Sequence, residues 1–113
     1  MVTITREDLS PAQQAVQSTH AAVDFCFQYP GVASLWNKHS NYLVQLSVKN
    51  EKELRELIEH CKKKYIDYTV FREPDIDNQI TAIALEPSSS TQKLVSRIPL
   101  MFKLKKLNHA NTI

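Results

Sequence analysis

The spacing of apolar residues along the chain predicts four strands. Apolar and polar side chains alternate in "VTIT" near the start of the chain and in "NYLVQLSV", as expected for strands with one buried face. "DYTVF" and "QITAIAL" are rich in β-branched and apolar residues and indicate two more strands. The predicted strands therefore cover residues 2–5, 41–48, 67–71 and 79–85.

The first helix is predicted from its two ends. The segment "SPAQ" at residues 10–13 offers a capping Ser, a Pro at the first helical position and a Gln that reaches back to the cap. The helix should run to about Tyr29, where Pro30 and Gly31 end it in a turn. Because Gly31 is the only glycine of the chain, we expect left-handed backbone there.

Two further helices are predicted from caps and spacing. Asn50 with Glu53 resembles a second capping box. Apolar residues then follow at helical spacing, namely Leu54, Leu57, Ile58 and Cys61, and Lys62 to Lys64 suit the negative end of that helix. The third helix is expected to begin near the serines at 88–90 and to end before Pro99.

The order strand, helix, strand, helix, strand, strand, helix predicts an α/β fold. Residues 41–71 should form a parallel, right-handed strand-helix-strand unit. A chain of 113 residues is long enough for one hydrophobic core. We therefore expect a single domain over residues 1–102, followed by a basic, frayed tail over residues 103–113.

The composition is that of an ordinary globular protein, with 42% hydrophobic and 23% charged residues. The apolar runs are too short to span a membrane and no secretory signal opens the chain, so we expect no membrane partner and a cytoplasmic location. Cys26 and Cys61 lie at helical positions that should face inward. They have no nearby His or Cys partner, so buried thiols are expected and no zinc site or disulfide.

A polar stripe on the first helix is the first candidate for chemistry. Gln13, Gln17, His20 and Asp24 fall within a sector of about 60° on a 3.6-residue helix. His20 lies one turn from Asp24, and a histidine beside a carboxylate can exchange protons near neutral pH. The alternative is a solvated helix flank. The neighbouring sector is expected to face the sheet; it contains Ala12, Ala15, Val16, Thr19, Ala22, Val23 and Cys26.

The second candidate is the charged loop after "DYTVF". Arg72 and Glu73 leave the end of a strand, where ligand sites of α/β sheets tend to lie, and Asp75 follows Pro74. The alternative is a polar hairpin connection with Asp77 and Asn78 as its turn residues.

The third candidate is a set of basic residues suited to nucleic-acid phosphates. Net charge is only +2, but residues 87–113 contain no Asp or Glu. The candidate phosphate contacts are Lys62, Lys63, Lys64, Lys103, Lys105 and Lys106. Basic helix ends and tails also occur in proteins that bind no nucleic acid. The sequence has no glycine-rich phosphate loop, no G-x-S-x-G elbow and no metal-ligand cluster.

Three segments taken together resemble the peptidyl-tRNA hydrolase type II family, and in particular a short bacterial branch that carries F-R-E-P-D. These are "TREDLSPAQQAVQSTHAAVDF", "LWNKHSNYLVQLSV" and "FREPDIDNQITAIALEP", and the likeness covers about residues 2–102. The resemblance implies a mixed four-stranded sheet flanked by helices. It also implies cleavage of the ester between a peptide and the tRNA 3′ end without metal or organic cofactor, a basic surface for tRNA, and homodimerisation.

The resemblance also assigns residues, with some departures. His20, Gln17, Arg72 and Thr81 match the family pattern. Gln13 stands where the family has a lysine, Glu73 replaces an aspartate, and a long loop shrinks to residues 74–79. Loss of the lysine removes a cation that could stabilise an oxyanion, an effect worth about 3 to 4 kcal/mol in other hydrolases.

Two functional hypotheses follow from this assignment. In the first, the protein hydrolyses peptidyl-tRNA, with catalysis by Glu73, His20, Arg72 and Thr81 and substrate binding by Gln13, Gln17, Asp24 and Asp75. Glu73 would be the base toward water, with Arg72 lowering its pKa and His20 as an alternative proton carrier. In the second, a catalytically inactive member binds tRNA or a protein through the same face. A third, purely structural interpretation treats all the charged clusters as surface.

Overall fold

A computed structural model describes residues 1–103 of the chain. Its four strands are β1 (Val2–Arg6), β2 (Val44–Val48), β3 (Tyr68–Glu73) and β4 (Gln79–Leu85). Its four α-helices are α1 (Pro11–Gln28), α2 (Pro30–Lys38), α3 (Glu51–Lys63) and α4 (Ser89–Leu94), and a single 3-10 turn, Pro74–Ile76, follows β3. All four predicted strands are confirmed, although β2 begins three residues later than the alternation indicated.

The strands form one mixed sheet in the order β2-β1-β4-β3. β1 pairs with β2 in parallel and with β4 antiparallel, and β4 pairs antiparallel with β3. The α/β class and the helix-flanked four-stranded sheet are therefore confirmed. β2 and β3 do run in the same direction, as the predicted strand-helix-strand unit requires, but they lie at opposite edges of the sheet.

One face of the sheet, which we call the α3 face, carries the main hydrophobic core. Branched aliphatic side chains of the strands pack there against α3 and α4, among them Val2, Ile4, Leu46, Ile83 and Leu85. From α3 the core receives Leu54, Leu57, Ile58 and Cys61, the four positions that the helical spacing selected. Burial raises the pKa of the Cys61 thiol to about 11.

The opposite face, which we call the α1 face, is covered by α1 and α2 and buries smaller side chains. Ala82 and Ala84 pack against Ala21 and Phe25 of α1. The predicted inward sector of α1 is wrong, because Val16 and Val23 are exposed. The residues that α1 buries are instead Gln14, Gln17, Ser18, Ala21 and Phe25. Of the two cysteines, Cys61 is buried as expected and Cys26 is only half-buried.

The helix caps agree with the sequence signals at three helix starts. Ser10 and Gln13 form the reciprocal capping box of α1, Asn50 accepts from the Glu53 backbone N–H at the start of α3, and Ser88 caps α4. The end of α1 at Gln28 is also confirmed to within one residue.

The glycine of the chain does not have the conformation expected from its sequence. Pro30 occupies the first turn of a second helix, and Gly31 lies inside that helix with no positive φ. Left-handed backbone occurs elsewhere, notably at Asp77 and Asn78, whose φ angles are 58° and 56°. These two residues are therefore turn residues of the β3–β4 hairpin, as predicted.

The end of the described chain covers the edge of β2. Ser47 N–H donates to Pro99 O, Met101 N–H donates to Gln45 O, and Leu46 pairs with Leu100. The predicted tail of residues 103–113 lies outside the described residues except for Lys103, and so do Lys105 and Lys106. Among residues 1–103, no helix combines the length and apolar character that crossing a membrane requires.

Candidate active site

A β-bulge in β4 places Thr81 on the α1 face. Phe71 of β3 pairs with Ala82, whereas the next residue, Arg72, pairs with Ile80, so Thr81 is an extra residue without a partner on β3. Strict alternation would have sent Thr81 to the α3 face together with Ile83. The bulge instead turns Thr81 toward α1, so that it lies on the same face as Ala82. Bulges commonly redirect a side chain in this way.

Thr81, Gln17 and Glu73 form a buried chain of hydrogen bonds between the sheet and α1. Thr81 Oγ1 donates to Gln17 Oε1 at 2.9 Å, and Gln17 Nε2 donates to Glu73 Oε1 at 3.3 Å. Thr81 and Gln17 are buried, and Glu73 is partly exposed. Because a carboxylate only accepts hydrogen bonds, the Gln17 NH2 must face Glu73, and the Gln17 oxygen is left for the Thr81 hydroxyl.

This chain leaves one part of Glu73 available to a ligand. Within residues 1–103, Glu73 Oε1 accepts from Gln17, and no hydrogen bond reaches Oε2. A carboxylate held at one oxygen, with its other oxygen open at a partly exposed position, has the geometry that a general base needs.

His20 extends the same site along α1. Its ring stacks on Phe71, with ring centroids 4.4 Å apart and an angle of 4° between the planes. Phe71 lies two residues before Glu73 on β3, so His20 and Glu73 border the same side of the sheet. Phe71 was not among the predicted site residues, although alternation along the strand places it on the same face as Glu73.

Beyond His20 the surface opens into a shallow depression. Its volume is about 490 Å³, and Ala15, Val16, Thr19, His20 and Val23 line it.

We refer to Gln17, Glu73, Thr81, His20 and Phe71 as the Gln17 cluster. Of the polar stripe predicted on α1, Gln17 and His20 therefore reach the end of β3.

Arg72 is not part of the Gln17 cluster. Its neighbours Phe71 and Glu73 both face α1, so alternation directs Arg72 to the α3 face, where its Nη1 donates to Asn78 O at 3.2 Å. Among residues 1–103, Arg72 forms no ion pair with Glu73. The assignment of Arg72 to the same catalytic site as Glu73 and His20 is therefore wrong.

The other three predicted substrate contacts surround the cluster without joining it. Gln13 is exposed, and its Oε1 accepts from the Ser10 N–H in the helix cap. Asp24 is exposed and forms no hydrogen bond with His20 within the described chain. Asp75 is exposed in the 3-10 turn after Glu73.

An ion pair between Arg6 and Asp8 lies at the carboxyl end of β1. Buried Arg6 donates twice to Asp8, from Nε to Oδ1 and from Nη2 to Oδ2, both at 2.9 Å. This hydrogen bonding raises the pKa of Arg6 and lowers the pKa of Asp8. Arg6 Nη1 also donates to Gln79 Oε1 at 2.8 Å and to Ile80 O at 3.1 Å, which ties the start of β4 to β1.

The candidate phosphate contacts fall at two different ends of the sheet. Lys62 to Lys64 lie at the end of α3, just before β3 begins, whereas Glu73 is at the other end of that strand. Lys103 shares a small depression of about 120 Å³ with Glu7 and Gln14, at the carboxyl end of β1. Because β1 and β3 run in the same direction, Lys103 lies at the same end of the strands as Glu73, although β2 and β3 are opposite edges of the sheet.

The donor side chains of residues 1–103 include no group of three or more His, Cys, Asp or Glu that is arranged to hold a metal ion. The expectation of hydrolysis without metal or organic cofactor stays a prediction.

Two comparisons with known proteins bear on the identity of the chain. A search of curated proteins gives no match. A scan against protein-family models matches residues 1–104 to the family described as peptidyl-tRNA hydrolase PTH2. That match includes all four strands and the whole Gln17 cluster. The chain therefore belongs to the peptidyl-tRNA hydrolase PTH2 family.

Proposed function

We propose that this protein hydrolyses the ester that joins a peptide to the 3′ end of tRNA. The observation that carries the proposal is the hydrogen-bond chain from Thr81 through Gln17 to Glu73, which holds a carboxylate with one open oxygen at the exit of β3. Membership of a hydrolase family supports the reaction class. Because peptidyl-tRNA arises in translation, we place the activity in the cytoplasm.

In the proposed reaction Glu73 acts on water. Its Oε2 takes a proton as the water oxygen bonds to the ester carbonyl carbon, giving a tetrahedral intermediate. That intermediate then breaks its bond to the ribose oxygen, and the proton returns from Glu73 to that leaving oxygen. The products are a free peptide acid and tRNA with a 3′-terminal hydroxyl. His20, which borders the cluster, is a second candidate for returning the proton.

The buried position of Thr81 changes its proposed role. Its side chain is fully buried, and the acceptors of its hydroxyl are both within the protein, Gln17 Oε1 at 2.9 Å and Phe71 O at 3.5 Å. We therefore assign Thr81 and Gln17 to positioning Glu73, and the catalytic residues of the proposal are Glu73 and His20. Arg72 is exposed at the same strand end but on the other face, which suits a phosphate contact better than a role at the ester.

The partner expected for this reaction is tRNA, and the end of the sheet at which β1 and β3 terminate carries Arg72 and Lys103 as well as Glu73. Lys62 to Lys64 lie at the far end of α3, so they would contact a different part of a large ligand.

Homodimerisation also stays a prediction. The surface that favours a dimer is the outer stripe of α1, where Val16, Val23 and Phe27 are exposed. Sedimentation of the purified chain tests whether it dimerises.

The deciding experiment compares purified wild type with Glu73→Gln on peptidyl-tRNA. Glutamine keeps the acceptor for Gln17 but is no longer a base, so we expect turnover to fall roughly 100- to 10,000-fold while tRNA binding persists. Asp77→Asn is the matched control, since it removes an exposed carboxylate four residues away in the hairpin turn, and we expect its turnover to equal that of wild type.

Other results would count against the proposal in distinct ways. Full turnover in Glu73→Gln would show that Glu73 is not the base. Wild type that binds peptidyl-tRNA without releasing peptide would remove the enzymatic function and favour the inactive, tRNA-binding alternative.

A further inference from the structure

The hydrogen bonds that connect the bulge at Thr81 to β1 come from side chains and not from backbone groups. The ladder between β1 and β4 ends at the pair of Thr5 with Ala82. Beyond it, Thr5 Oγ1 donates to Thr81 O at 2.8 Å and Arg6 Nη1 donates to Ile80 O at 3.1 Å. Glu51 Oε2, at the start of α3, accepts from the Ile80 N–H at 2.7 Å.

These contacts satisfy backbone groups that the bulge leaves without strand partners. Buried N–H and C=O groups need hydrogen bonds, and a bulge interrupts the ladder that would supply them. Thr5 and Thr81 are both fully buried, so water does not compete for the bond between them. The orientation of the Thr81 peptide therefore depends on the side chain of Thr5.

The three side chains differ in how cleanly they can be tested. Arg6 also binds Asp8 and Gln79, and Glu51 also pairs with Arg55, so changes at either would disturb several contacts. Thr5 donates a single side-chain hydrogen bond, to the carbonyl of the bulge residue itself.

We propose that Thr5 is a positioning residue for the reaction at Glu73. Its hydroxyl fixes the carbonyl of Thr81, so that the Thr81 hydroxyl meets Gln17 Oε1 and Gln17 presents its NH2 to Glu73. Thr5 touches neither the substrate nor Glu73, and its effect passes through two intervening side chains. The kinetic part of this inference rests on the proposed hydrolase function; the structural part, the control of Gln17 by Thr5, does not.

The test uses the isosteric variant Thr5→Val in the full chain. We expect kcat on peptidyl-tRNA to fall roughly tenfold with KM unchanged, as for the loss of one buried hydrogen bond. We also expect the side-chain amide 1H–15N signals of Gln17 to shift in the NMR spectrum. Thr5→Ser keeps the hydroxyl, so both its kcat and its Gln17 signals should equal those of wild type.

Two other buried threonines of the same face provide matched controls. Thr69 Oγ1 donates to Ala21 O at 3.1 Å, so Thr69→Val removes the same kind of bond away from the bulge. The Thr3 hydroxyl has no hydrogen-bond partner in the described structure, so Thr3→Val removes a hydroxyl of β1 without breaking any bond. Both should keep the kcat and the Gln17 signals of wild type.

The outcomes separate this inference from the proposed function. Unchanged Gln17 signals in Thr5→Val, or an equal loss of kcat in Thr69→Val, would overturn the inference. If wild type shows no hydrolysis, the proposed function fails, and the Gln17 signals of Thr5→Val and Thr69→Val still decide whether Thr5 controls the cluster. Should Thr5→Val not fold, Thr5→Ala tests the same bond with a smaller side chain.

Discussion

The two faces of the sheet bury different kinds of side chain. The α3 face packs branched aliphatic residues of the strands against the apolar stripe of α3. The α1 face buries alanines together with polar side chains, including Thr5, Gln17, Ser18, Thr69 and Thr81. Aliphatic packing stabilises a fold without directing any polar atom, whereas buried hydrogen bonds fix the direction of a polar group. We infer that the α3 face stabilises the domain and that the α1 face orients the candidate site.

Truncation in the aliphatic core should have the largest effect on stability. Leu54 of α3 is fully buried, and Leu54→Ala should lower the free energy of unfolding by about 2 to 5 kcal/mol because it removes apolar contacts and leaves a cavity. Urea unfolding measures this loss. Leu35→Ala is the control, since Leu35 is 61% exposed on α2 and its truncation should change stability by less than about 0.5 kcal/mol.

The same variant also tests the separation of the two faces. Peptidyl-tRNA turnover per folded molecule of Leu54→Ala should equal that of wild type. A loss of turnover while the protein is still folded would show that the α3 face also contributes to the site.

The polar face should respond in the opposite way. Gln17→Met keeps the size of the side chain but removes both hydrogen bonds of the amide, so Glu73 loses its orienting donor. We expect roughly a 100-fold fall in turnover, as misplacement of a catalytic group can cause, and a loss of stability of only about 1 kcal/mol.

A neighbouring residue offers a matched control for this variant. Gln14 is also buried on α1, and its amide donates to Leu9 O at 2.8 Å. Gln14→Met should lose similar stability and keep turnover. Equal losses of turnover in both variants would mean that the effect comes from general loosening of α1.

The sequence predicted elements well where the signal was local. Ser10, Asn50 and Ser88 are caps whose short polar side chains bond to backbone N–H groups only a few residues away, so neighbouring sequence determines them. The inward face of α1 depended on the partner surface. Because that surface consists of small and polar strand residues, Gln17 and Ser18 turn inward while Val16 and Val23 remain exposed.

One error and one omission at the candidate site came from the geometry of strands. Arg72 and Glu73 were assigned to one site because both were expected to leave the end of a strand, yet β3 continues through them and alternation places them on opposite faces. The bulge is reflected in the spacing of two isoleucines. Ile80 and Ile83 both lie in the α3-face core, although residues three apart on a regular strand face opposite sides. The sequence could not show that α1 supplies Gln17 as the partner of the displaced Thr81.

The smallest expected effect concerns the acidic residues that support the bulge. Bonding to Arg6 lowers the pKa of Asp8, and bonding to the Ile80 N–H lowers the pKa of Glu51. A carboxylate whose pKa is lower in the folded chain stabilises the fold above its unfolded pKa, and this contribution is lost as pH falls through the folded pKa. Wild type should therefore lose stability as pH falls below the ordinary values of 4.5 for Glu and 3.8 for Asp.

Asp8→Asn should remove part of this pH dependence. Because the Asp8 side chain is 42% exposed, its pair with Arg6 should contribute at most about 1 kcal/mol at neutral pH. Urea unfolding at pH 7 and at pH 3 should give a smaller difference for Asp8→Asn than for wild type, and Asp24→Asn, which changes an exposed carboxylate of α1, should match wild type. An unchanged difference in Asp8→Asn would place the acid sensitivity elsewhere. A reduced one would assign part of the acid sensitivity to the pair of Asp8 with Arg6, which connects to the bulge through Ile80 O, whereas the aliphatic side chains of the α3 face have no group that titrates.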